Sequence, residues 1–99
     1  MLEGAYFQMY ETEMIEGEIS RAVHFLERSA KGKGFYADAA KILLDSIKNH
    51  VEPEDVQDRL MGLDWDDGEK RGIYFRFLYS YNRYNLKYPE YDSMRCDDK

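Results

Sequence analysis

Cysteine is nearly missing from this chain: Cys96 is the only one, and it stands in a polar C-terminal stretch. No internal disulfide can form, which suits a reducing compartment. Proline occurs only at 53 and 89, so long helices are permitted between them. No apolar run approaches the ~20 residues that cross a bilayer, and the Met-Leu-Glu-Gly start does not read as a signal peptide. The expected setting is therefore the cytoplasm, or the host cytoplasm if the chain is phage-encoded, without membrane contact. Bases are outnumbered by acids, and the net charge of −6 disfavours non-specific attraction to nucleic acid or anionic lipid. Strand-type alternation is scarce as well.

Helical spacing, by contrast, is plentiful. At 43% hydrophobic and 34% charged, the 99 residues have enough apolar surface to offset chain entropy and form one core. Ile15, Ile19, Ala22 or Val23, and Leu26 recur as one buried face, with Phe7, Tyr10 and Met14 on a rotated line upstream. Gly17 costs ~1 kcal/mol against Ala inside a helix, so this segment is either bent or divided. Ser29 to Gly34 reads as a reversal, and Phe35 to His50 as a helix buried along Tyr36, Ala40, Leu43 or Leu44, Ile47 and Val51. Pro53 fits the first turn of a short helix carrying Val56 and Leu60 inward. Asp64 is the candidate N-cap of a last helix that should run to about Lys87 and stop before Pro89. The expectation is an all-α, compact single-domain bundle of about four helices over residues 1–89, with a frayed, disordered tail over 90–99.

The last helix holds the densest chemistry. Tyr74, Phe75, Phe77, Tyr79, Tyr81, Tyr84, Tyr88 and Tyr91 crowd its neighbourhood, and no acid interrupts Lys70 to Lys87. Apolar residues cover most of its girth, which predicts a central helix surrounded by the others. So many tyrosines cannot all sink fully, and exposed Tyr with Arg is the composition of binding hot spots. Just upstream, Glu52, Glu54, Asp55, Asp58, Asp64, Asp66, Asp67 and Glu69 face a single base, Arg59. Helix capping and solvation explain part of that acidity, and an electrostatic partner surface explains the rest.

Catalytic arrangements are not found. His24 and His50 have no metal or triad spacing, and Cys96 has no histidine near it in sequence. Asp64-Trp-Asp-Asp-Gly68 fails as a calcium loop, because glycine at the sixth position puts Leu63 and Trp65 where ligands belong. Lys31-Gly-Lys-Gly34 lacks the phosphate-loop spacing. No enzymatic activity, metal or cofactor is expected. The leading expectation is a small acidic protein-binding module, an inhibitor, immunity-type or adaptor protein that occludes a partner with a basic surface. Its contact residues would be Asp64, Trp65, Asp66, Asp67, Glu69, Tyr79 and Tyr84. One alternative is an RNA or single-strand binder using Arg76, Arg83 and Lys87, which the net charge disfavours. The other is a homodimeric or larger assembly subunit joined through the last helix.

Overall fold

Gly17 decides how the chain begins. Its φ of +83° lies in the left-handed region that L-residues avoid, so one helix ends before it and another starts just after. In the computed structural model, which describes residues 2–84, the helices are α1 (Leu2–Ile15), α2 (Ile19–Ala30), α3 (Phe35–Asn49), α4 (Pro53–Met61) and α5 (Asp67–Tyr84). The count is therefore five rather than four, because the opening segment is divided at its glycine. The division also resets the helical phase. Phe7, Tyr10 and Met14 line the buried side of α1 and Ala22, Val23 and Leu26 that of α2, while Ile15, expected inside, is left at the surface. The chain is all-α across the described residues. The expected helix end near Lys87 and the expected tail over 90–99 fall outside them.

The centre belongs to α3 rather than to the last helix. Ala37, Ala39, Ala40, Leu43, Ser46 and Ile47 are all buried on it, and its alanines allow close approach of neighbours. It packs against α1, α2 and α4. Arg59 of α4 donates to Asp45 of α3 at 2.7 Å and holds that carboxyl below the usual carboxylate range. α5 closes the core from one flank with Ile73, Tyr74 and Phe77, turning Phe75 and Tyr79 to solvent. A wide apolar girth thus marks a helix with one buried and one exposed aromatic face. Glu11 pairs with Arg76 at 2.8 Å, and Tyr84 donates to the Ile15 carbonyl at 3.4 Å. Positions 11 and 15 thus meet 76 and 84, so α1 and α5 lie side by side and run in the same direction.

α3 ends on His50, whose φ of 53° and ψ of 47° are left-handed, and the next N–H, from Val51, returns to the Ser46 carbonyl at 3.1 Å. Glycine adopts this geometry without the Cβ clash that histidine bears. After the greater chain entropy of glycine is subtracted, His50→Gly is expected to stabilise the protein by about 0.5–1 kcal/mol. Urea midpoints of the two proteins check this; a lower midpoint for the variant would refute it.

Candidate functional site

The turn between α4 and α5 is built around Trp65. Its ring stacks on Phe35, with centroids 4.7 Å apart and planes 7° from parallel, and its indole N–H donates to Glu69 at 3.1 Å. The second oxygen of Glu69 accepts a short hydrogen bond from the Tyr36 hydroxyl. That bond, aided by burial, pushes the Tyr36 phenol up to about 12. Asp66 accepts from the Glu69 backbone N–H at 2.9 Å, so Asp66 caps α5 where Asp64 was expected to. Asp67 pairs with Lys70 at 3.2 Å. Trp65 nevertheless remains 47% exposed. It is a large aromatic held rigid at the surface.

The acidic stretch therefore divides in two. Asp66, Asp67 and Glu69 are engaged in building the turn. Glu52, Glu54, Asp55, Asp58 and Asp64 are exposed and form no ion pair with any described residue. Asp66 and Asp67 are exposed as well, so both sets present carboxylates to solvent.

Tyr79 and Tyr84 belong to a different place. Residue 79 lies ~20 Å along the α5 axis from the Trp65 turn, and there α1 and α5 enclose a cleft of about 230 Å³. Met14, Ile15, Phe75 and Tyr79 make its apolar walls, and the Glu11–Arg76 pair spans it. Ile15 is 72%, Phe75 58% and Tyr79 63% exposed, high values for large apolar side chains grouped around one opening. The hydroxyl-bearing residues Tyr10 and Ser80 are nearly sealed in its floor. Burial, with the nearby Glu11 charge, pushes the Tyr10 phenol well above its ordinary range. Tyr84 rests over Gly17, with ring atoms 3.7 Å from where a Cβ would be.

No protein-family model matches this chain, nor does any curated protein or solved structure. Of the basic arc suggested for nucleic acid, Arg76 is engaged by Glu11, Arg83 lies over the Tyr84 ring at 5.6 Å, and Lys87 lies outside the described residues. His24 is exposed and accepts from Arg28 at 3.1 Å. Among the described residues no three His, Cys, Asp or Glu side chains are grouped to hold a metal ion, and no helix is long and apolar enough to cross a membrane. The cleft was not foreseen from the sequence. Its only advance signal was Gly17, whose break puts Ile15 out of phase with Ile19 and Ala22.

Proposed function

We propose that this chain is a small acidic protein-binding module, of the inhibitor, immunity-type or adaptor kind, that occludes a basic surface of a larger protein. The observation that carries this reading is the clamped Trp65. An aromatic fixed in place before contact loses little side-chain entropy on binding, which is the property of a hot-spot anchor. The unpaired carboxylates from Glu52 to Asp64 supply a field that steers a cationic partner and excludes acidic ones. Asp66, Asp67 and Glu69 contribute indirectly, by holding the turn that presents the indole.

Capture from a lysate of the native host on immobilised wild-type protein, with Trp65→Ala run in parallel, tests the reading. A protein retained by the wild type and lost with the variant is the expected result. No retained protein, or the same set on both, would refute it.

A sharper expectation concerns kinetics. Replacing Glu54, Asp55, Asp58 and Asp64 by their amides removes exposed charge without touching an internal ion pair. The melting temperature should fall slightly, because Glu54 and Asp55 complement the α4 dipole, while association with the captured partner slows by about tenfold and loses most of its salt dependence. Stopped-flow traces at two ionic strengths check this, and an unchanged rate would remove the acidic edge from the interface.

A further inference from the structure

We infer that the α1/α5 cleft face binds a second copy of this chain, related by a two-fold axis running parallel to the two helices. Hole and knobs sit on the same face: the cleft opens between α1 and α5, and exposed Phe75 and Tyr79 stand at its edge. A surface that carries both halves of a fit is self-complementary under a two-fold operator.

Charge selects the same occupant. From Met1 through Glu18 the chain has no Lys or Arg, and from Lys70 through Tyr84 it has no Asp or Glu. One wall of the cleft is therefore acidic and the other basic. An axis along the helices exchanges left and right but keeps each level, so α5 of the second copy lies over α1 of the first. The parallel register then matches groups without adjustment. Tyr79 of the second copy covers Ile15, Arg76 of the second copy faces Glu11, and Arg83 of the second copy meets the Glu16–Glu18 turn. Glu16 and Glu18 are exposed and have no ion pair among the described residues. A foreign helix would need the same split of charge at the same spacing.

The test is sedimentation of the full chain over a concentration series, with four altered proteins. The wild type should pass from monomer to dimer between about 1 µM and 1 mM. Phe75→Ser with Tyr79→Ser should weaken the dimer by about 100-fold or more, with unchanged circular dichroism, because both side chains are exposed. Arg83→Glu alone, and Glu16→Arg with Glu18→Arg alone, should each weaken it by about tenfold through facing like charges. Mixed together, those two chains should form a heterodimer tighter than either homodimer, because every facing pair is again of opposite sign. Trp65→Ala should leave the dimer intact, which separates this surface from the one proposed for the larger partner. A wild type that stays monomeric at about 1 mM overturns the inference. So does a dimer indifferent to Phe75 and Tyr79, or a mixture no tighter than its parts. A monomer that dimerises only after residues 85–99 are deleted would assign the face to that segment and overturn it equally.

Discussion

Lys70→Met is expected to destabilise the protein by about 2–4 kcal/mol, although it keeps the length and apolar stem of the side chain. Lys70 is only 4% exposed. Its ammonium donates to the Met61 carbonyl at 2.9 Å and to the Leu63 carbonyl at 2.7 Å, and it pairs with Asp67. Those carbonyls lie at the end of α4 and just beyond it, where a helix leaves acceptors without internal partners. α5 thus caps α4 through a lysine. Methionine fills the space but leaves both acceptors without that donor, each costing about 1–3 kcal/mol where water cannot reach. Relief of ammonium desolvation offsets part of the loss. Urea unfolding of the two proteins measures the difference, and a change below about 1 kcal/mol would show that solvent replaces the lysine.

Glu69→Ala should cost about 2–3 kcal/mol, because one carboxylate accepts from both Tyr36 and Trp65 and charge-assisted bonds of this type exceed neutral ones. Its signature is a pH dependence. The Tyr36 phenol is raised from 10.0 to about 12, chiefly by that hydrogen bond. The folded state therefore holds this proton more tightly than the unfolded chain does. The stabilisation is complete below pH 10.0 and disappears as pH climbs to about 12. With allowance for solvent screening near the surface, the pH-dependent part is about 1 kcal/mol. The quantity to measure is the difference between wild type and Tyr36→Phe, in which contributions common to both proteins cancel. That difference should shrink from pH 9 toward pH 12. A constant gap would detach the hydroxyl from Glu69.

The fold class was legible because apolar positions at steps of three and four overdetermine helices, and Pro53 and Gly17 sit at real boundaries. The phase across Gly17 was not legible. A single left-handed residue rotates everything after it, so Ile15 aligned with Ile19 on paper and parts from it in space. The position of the last helix was misjudged for a related reason: girth counts apolar residues without knowing which neighbours exist. Only the packing of α5 on the core separates buried Phe77 from exposed Phe75. At the turn, Asp64, Asp66, Asp67 and Glu69 are alike as letters. Asp66 caps a helix, Glu69 ties two rings, Asp67 pairs with Lys70 and Asp64 points to solvent because of where the chain turns. Lys70 reads in the sequence only as the first base of an acid-free segment, since nothing in its sequence neighbours reveals the α4 carbonyls it serves.

The side-by-side placement of the first and last helices bears on how this protein is made. Synthesis releases Phe7, Tyr10 and Met14 early, yet the strip that covers their open flank emerges only with Ile73 through Tyr84. A ribosome paused before Asp67 therefore carries a helical intermediate with a sticky seam, which is the moment when aggregation or chaperone capture competes with completion.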